Sequence, residues 1–154
     1  MKVSPQIRSG NVDDVPQLVQ LVAQYWHFEG IPGFDARTLS PLLARIATQP
    51  ELGAIWVADA GGDLVGYLIA VYMFSLEQKG MMAEIDEFFV APEARTYGVG
   101  AALLDVAESD LAANGCVCVQ LQLGKGNTSA RAFYRRHGYN ERVGYDLLDK
   151  HITY

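Results

Sequence analysis

The sequence is poor in cysteine and histidine, with two of the first and three of the second in 154 residues. Cys116 and Cys118 stand two apart, so in a strand both side chains point the same way, a poor geometry for a mutual disulfide. With no second cysteine pair, and with His27, His137 and His151 at no ligand spacing, a zinc site is disfavoured and no metal is expected. Long apolar runs are also missing; nothing approaches the roughly 20 residues of a membrane span. The opening MKVSPQIRSGNVDDV has neither the apolar segment nor the cleavage pattern of a secretory leader. The expectations are therefore no membrane partner and a cytoplasmic location. Positive charge is not in excess: 12 Lys and Arg face 18 Asp and Glu, a net charge of -6. That argues against a nucleic-acid partner, which needs a basic surface, and is compatible with a cationic one. No repeat, low-complexity segment or linker interrupts the chain, so residues 1–154 read as a single domain around one core.

What is present is an ordinary globular composition, 50% hydrophobic and 19% charged. Residues 3–8 suit a first strand. Val15, Leu18, Val19, Val22 and Trp26 recur at helical spacing behind Asn11 or Asp13 as caps. HFEGIPGFDA, residues 27–36, reads as a loop. Leu39, Leu42, Leu43 and Ile46 stripe a second helix that runs to about Thr48, with Pro41 in its first turn. Two β-rich runs flank AGGD and predict a hairpin. After the loop SLEQKG, MMAEIDEFFVAP is a strand ending at Pro92. A helix over 97–113 follows, with Val99, Ala102, Leu103, Val106 and Ala107 on one face and Asn114 and Gly115 at its end. CVCVQLQL alternates as a strand. NTSARAFYRRHG is a short helix with His137 at its end, and YDLLDKHI a last strand. The mixture predicts an α+β (or α/β) domain around a mixed sheet.

The stretch RTYGVGAALL, residues 95–104, raises a chemical question. A strand, a glycine turn and a helix N-terminus make an anion site, because first-turn amides lack intrahelical acceptors and the helix dipole adds positive character. Gly98 and Gly100 let a phosphate approach the backbone, and Arg95 adds a charge. Glycines at helix starts are common, however, and a tight turn accounts for them equally. The stretch lacks the Gly-Lys-Ser/Thr of nucleotide hydrolases, and it follows the fourth strand rather than opening a dinucleotide-binding unit.

A second motif decides between these readings. Arg95, Gly98 and Gly100 fit Arg/Gln-x-x-Gly-x-Gly/Ala, and NTSARAFYRRHGY supplies Asn-x-x-Ala-x-x-Phe-Tyr downstream. Together the two resemble the GNAT superfamily of acyl-CoA-dependent N-acetyltransferases, most sharply over residues 84–139. The resemblance implies a GNAT fold with a mixed sheet of six to seven strands, helices on both faces, and strands four and five splayed by a bulge in strand four. It implies acetyl-CoA as cosubstrate. The pantetheine arm would lie along Phe88, Phe89 and Val90. The pyrophosphate would sit over residues 97–102, with Arg95, Tyr97, Gly98, Val99, Gly100 and Ala101 around it. Asn127 and Arg131 would contact the cofactor, and Tyr134 would protonate the departing thiolate.

Acetyl transfer to an amine needs a proton acceptor, since an alkyl ammonium has a pKa of about 10.4. Asp86 and Glu87 lie on the strand that should floor the cleft. Strict alternation sends them to opposite faces, so at most one is expected to serve. Glu84 is a third candidate whose direction depends on the bulge. IDEFFV followed by FYRRHG resembles the diamine (spermidine/spermine) acetyltransferase branch. That likeness makes Asp86 the leading base and gives Glu87 a share in binding a cationic amine. Tyr25, Trp26, Phe28 and Glu29 would suit an amine with an apolar stem, although Tyr25 and Trp26 also continue the core face of the first helix, the better reading for Trp26. The resemblance also implies a homodimer. Other acceptors are open (an amino acid, an aminoglycoside, a protein N-terminus), as is a module that binds acyl-CoA without catalysis.

Overall fold

The computed structural model describes residues 4–153. They fall into two compact units, one running through Gln122 and one beginning at Leu123. The first unit contains β1 (Gln6–Ser9), α1 (Val15–Glu29), α2 (Ala36–Thr48), β2 (Gly53–Ala60), β3 (Asp63–Ser75), β4 (Gly80–Val90), α3 (Val99–Ala113) and β5 (Cys118–Leu121). Single 3-10 turns precede α1 and follow β4, at Val12–Asp14 and Pro92–Ala94. The second unit contains α4 (Thr128–Arg136).

The five strands lie in sequence order, antiparallel from β1 to β4, with β4 and β5 parallel. A parallel neighbour cannot be reached by a tight turn, so the chain crosses over through α3. The β2–β3 hairpin closes on Gly61 and Gly62, both at positive φ, as a two-residue turn of this kind requires. Alternation along β2 divides the core. Ile55 and Val57 pack with Tyr67, Ile69 and Phe89 against Leu18, Leu21 and Val22 of α1 and Leu43 of α2. Trp56 points the other way and donates its Nε1–H to Asp110 of α3 at 2.8 Å. Helices therefore cover both faces, as expected.

Several boundaries differ from the pattern reading. Among the described residues the sheet has five strands, not six or seven. Val3, expected in the first strand, lies outside them. The segment YDLLDKHI forms no strand; Tyr145, Leu147, Leu148 and Ile152 are all exposed. Strand propensity stabilises nothing without a paired neighbour. Pro41 sits inside α2 rather than in its first turn, because Asp35 caps the helix by accepting from Arg37 N–H at 3.0 Å. Leu42 turns to solvent, while Leu43 is buried. In α3, Leu104 and Leu111 join Val99, Leu103 and Ala107 in the core. Cys116 and Cys118 are half-buried free thiols, the second of them in β5.

The entrance to α1 is fixed by charge. Asp14 is buried, accepts from Asn11 N–H at 2.8 Å, and takes both ends of the Arg8 guanidinium at 2.8 and 2.9 Å. Arg8 in turn reaches Asp59 on β2 at 3.0 Å. The Arg8 charge, with its hydrogen bonds, holds the Asp14 carboxyl below its ordinary range. A lowered carboxyl pKa stabilises the fold above the unfolded-state value and ceases to do so as pH falls through the folded one. Asp14→Asn should cost about 2 kcal/mol at pH 7. In urea denaturation the gap between wild type and variant should close in strong acid. A gap that stays constant down to pH 2 would contradict this account.

Candidate active site

The β4 strand carries one residue too many. In the β3–β4 ladder Ile69 faces Glu87, while its neighbour Ala70 faces Ile85, so Asp86 is the inserted residue of a bulge. The consequence is a change of face. Ile69 and Val71 point to the same side of β3, and their partners are Glu87 and Glu84. Three residues apart in a regular strand, Glu84 and Glu87 would point to opposite faces. The extra residue brings both to the side that α1 covers. For Asp86, the inserted residue, strict alternation no longer sets the direction relative to Glu87. Each carboxyl feels the charge of the other's neighbourhood: Glu84 acts on Asp86, and Asp86 on Glu87.

Glu87 is held from two sides. The Tyr67 hydroxyl donates to its Oε1 at 3.0 Å, and the Trp26 indole N–H is shared between Oε1 and Oε2, at 3.2 Å from each. Burial pushes the Glu87 carboxyl up to about 7, against the pull of these two donors, and the charge of Asp86 adds to the rise. Burial also raises Tyr67 far above a normal phenol, so it remains a donor. Tyr25 is pushed up to about 12, first by burial and then by the charges of Glu87, Glu29 and Asp86. Asp86 itself is exposed at the bulge, yet the packing around its carboxyl and the charge of Glu84 raise it above the usual range. Gln120 on β5 donates to Glu84 at 2.9 Å. None of the three carboxylates joins an ion pair among the described residues.

Beyond the bulge, β4 outruns its parallel partner. The β4–β5 ladder ends at Ile85 and Leu121, whereas β4 continues through Phe88 and Phe89 to Val90. Phe89 is buried against the rings of Tyr25 and Tyr67, at centroid distances of 5.7 and 6.4 Å. The chain then turns into α3. Gly98 caps that helix at φ 75°, in the left-handed region, with open space where a Cβ would stand. Thr96 takes φ 71°, a strained conformation for a β-branched residue. The first turn of α3 holds Val99, Gly100 and Ala101 and no acidic side chain. The side chain of Val99 is buried, so only its backbone can face a ligand, and Tyr97 is exposed. Arg95 bends back: its Nε donates to Val90 O at 2.9 Å, and its guanidinium lies over the rings of Phe28 and Phe89, 4.9 and 5.4 Å from their centroids.

Tyr25, Phe28 and Glu29 belong to α1, which runs three residues further than the loop reading allowed, to Glu29, before Gly30 ends it at φ 68°. Trp26, read chiefly as a core residue, reaches Glu87. Tyr67 escaped notice altogether. It lies in an apolar run of β3, and only the register of the sheet shows what its hydroxyl meets.

Within the second unit, Asn127 caps α4 by accepting from Ala130 N–H at 3.2 Å. Arg131 pairs with Glu141 at 2.6 Å and lies near the carbonyls of Gly124 and Lys125. Tyr134 packs edge-on against Phe133 and Tyr139. His137 is the C-cap, with Nδ1 2.8 Å from Phe133 O. Among the described residues there is no cluster of three or more metal-binding side chains, and no helix long and apolar enough to cross a membrane.

A mixed sheet with a bulged strand beside its parallel edge, leading through a glycine turn into a helix N-terminus, defines an acyltransferase fold. The chain belongs to the Acetyltransferase (GNAT) family, whose model matches residues 16–139. It is 29% identical over 143 residues to the uncharacterized N-acetyltransferase YhfO of Bacillus subtilis (strain 168), covering 90% of this chain and 92% of that one. It is 30% identical over 85 residues, 55% of each chain, to an aminoalkylphosphonate N-acetyltransferase of Salmonella typhimurium (strain LT2). Among solved structures, an integron cassette protein from the mobile metagenome of Cole Harbour Salt Marsh superposes with a TM-score of 0.83 at 28% identity, over 96% of this chain and 91% of that one. The protein is an N-acetyltransferase, and its family uses acetyl-CoA as the acetyl donor.

A carboxyl whose pKa rises on folding favours the native state at low pH, and the benefit is lost as pH rises through the folded value. For Glu87 that window runs from the ordinary carboxylate range to about 7. Glu87→Gln should therefore melt at a higher temperature than wild type at pH 8, with the advantage shrinking towards pH 5. Melting curves with a pH-independent difference would show that Glu87 is not strained by its charge.

Proposed function

We propose that the protein acetylates a primary amine of a small cationic molecule, with a polyamine the favoured acceptor. The observation that carries this reading is the carboxylate group at the β4 bulge. Glu84, Asp86 and Glu87 lie close along one strand and join no ion pair among the described residues, and an ammonium group would supply a partner. The relative named an aminoalkylphosphonate N-acetyltransferase is named for a small amine, which supports a small-molecule amine acceptor but not its cationic character.

The residues present suit acetyl-CoA. The backbone of Phe88, Phe89 and Val90, on the part of β4 beyond its ladder with β5, suits the pantetheine arm. The amides of Tyr97 to Ala101, at an α3 N-terminus free of acidic side chains, suit the pyrophosphate. Arg95 braces the turn through Val90, and Asn127 and Arg131 complete the cofactor set on the pattern of the family motif. Acetyl-CoA supplies the activated acyl group. The protein must accept the ammonium proton, for which Asp86 and Glu87 are the acceptors, and must return a proton to the thiolate, for which Tyr134 is the donor. Glu84, Glu29, Tyr25 and Phe28 form the acceptor side: carboxylates for the cationic ends, rings for the apolar stem.

The test follows free CoA thiol while the protein is incubated with acetyl-CoA and a panel of polyamines, amino acids, aminoglycosides and short peptides. Thiol release is expected with spermidine or spermine. Tyr134→Phe should lower kcat by about 100-fold or more, while acetyl-CoA still raises the melting temperature of the variant. Release with peptides alone would overturn the acceptor class, and an unchanged kcat would remove Tyr134 from its role.

We also propose a homodimer. Val143, Tyr145, Leu147, Leu148 and Ile152 are all more than 70% exposed, a run of apolar side chains that a second copy could cover. Sedimentation velocity should give twice the chain mass, and Leu148→Asp should return it to one. A monomeric wild type at micromolar concentration would contradict the proposal.

A further inference from the structure

Tyr67 and Trp26, from two different elements, both direct their polar atoms at the Glu87 carboxylate. We propose that they are positioning residues, a two-donor clamp that fixes the Glu87 carboxylate in one orientation and keeps it ready to accept a proton from the acceptor amine. The inference rests on the amine acetyltransferase reading and assigns a device within it.

The geometry is specific. Tyr67 is fully buried on β3, and its hydroxyl meets Oε1 at 3.0 Å. Trp26 comes from α1 and spans both oxygens at 3.2 Å. The Trp26 ring meets Phe34 edge-on at a centroid distance of 6.2 Å, and the Tyr67 ring packs tilted against Phe89. Donors placed by these ring contacts favour one setting of the carboxylate. The bulge makes the arrangement possible, because Glu87 stands opposite Ile69, on the α1 side, only in the shifted register.

The clamp also decides how easily the proton is held. The charge that acts on Glu87 is that of Asp86 on its own strand; Glu84 acts on Asp86 in turn, and Glu29 of α1 on the neighbouring Tyr25 phenol. The negative charge of Asp86 and burial work in the same direction, towards a protonated Glu87. Only the two donors favour the carboxylate. With them Glu87 titrates close to neutrality, where a base both is ionised and binds a proton well. Without them it would be protonated, and silent, at neutral pH.

Tyr67→Phe and Trp26→Phe each delete one donor and keep an aromatic ring. Glutamate labelled with 13C at the side-chain carboxyl lets the Glu87 signal, assigned by its absence in Glu87→Gln, be titrated from pH 4 to 9 by NMR. The Glu87 midpoint should rise in both variants and rise further in the double variant. The acidic limb of kcat/KM for spermidine should move up by the same amount, each unit lowering the rate on that limb about tenfold. A midpoint unmoved in both single variants would overturn the clamp, as would a shifted midpoint with an unshifted limb. Shifted midpoints with no acetylation of spermidine would sustain the clamp and overturn the polyamine reading instead.

Discussion

Between Ile69 and Ala70 of β3, the facing strand gains one residue, Asp86, and the chemistry of the first unit follows from that insertion. A regular β4 would turn Glu84 and Glu87 to opposite faces. The bulged strand turns both towards α1, into a region whose other walls are Tyr25, Trp26 and Tyr67. Negative charge is thereby concentrated where burial resists it, and the strain is relieved partly by hydrogen bonds and partly by proton uptake. A cationic ligand would relieve it further. The parallel β4–β5 ladder also stops one residue before the bulge, at Ile85, so the same local irregularity marks the start of the strand segment available to a second backbone.

The turn that follows is tied to this arrangement through Arg95. Its guanidinium joins Val90 at the end of β4 to Phe28 on the last turn of α1, and its stacking on Phe89 reaches the Tyr25–Tyr67 cluster. The side chain therefore links the proposed phosphate turn to the proposed acceptor wall. Thr96 and Gly98 both take positive φ on the way into α3. For glycine that geometry is free of strain; for threonine it persists only because the residues on either side fix it.

The fold was legible wherever a periodicity was long. The helical stripes of α1 and α3 and the AGGD hairpin lie close to where their patterns put them, and the two glycine and asparagine motifs carried the family. Residues 145–152 misled, because alternation reports the wish for a strand and says nothing of a partner. The site was legible by residue type but not by direction. Asp86, Glu87 and Glu84 stand out as carboxylates on one strand, whereas their sidedness depends on a bulge that no local signal locates. Tyr67 was invisible for a related reason: an aromatic in a buried strand looks like core until its register partner is known. Trp26 is both core and donor, and helical spacing reveals only the first.

The central proposal is that the end of β4 beyond its β5 ladder and the start of α3 receive acetyl-CoA beside the bulge. A crystal structure with a non-transferable acetyl-CoA analogue tests it most directly. The account predicts the pantetheine arm against the Phe88–Val90 backbone, the pyrophosphate on the amides of residues 97–102, and the acyl carbon on the side that Glu87 faces. An analogue bound elsewhere, or one whose acyl end lies away from the bulge, would contradict it.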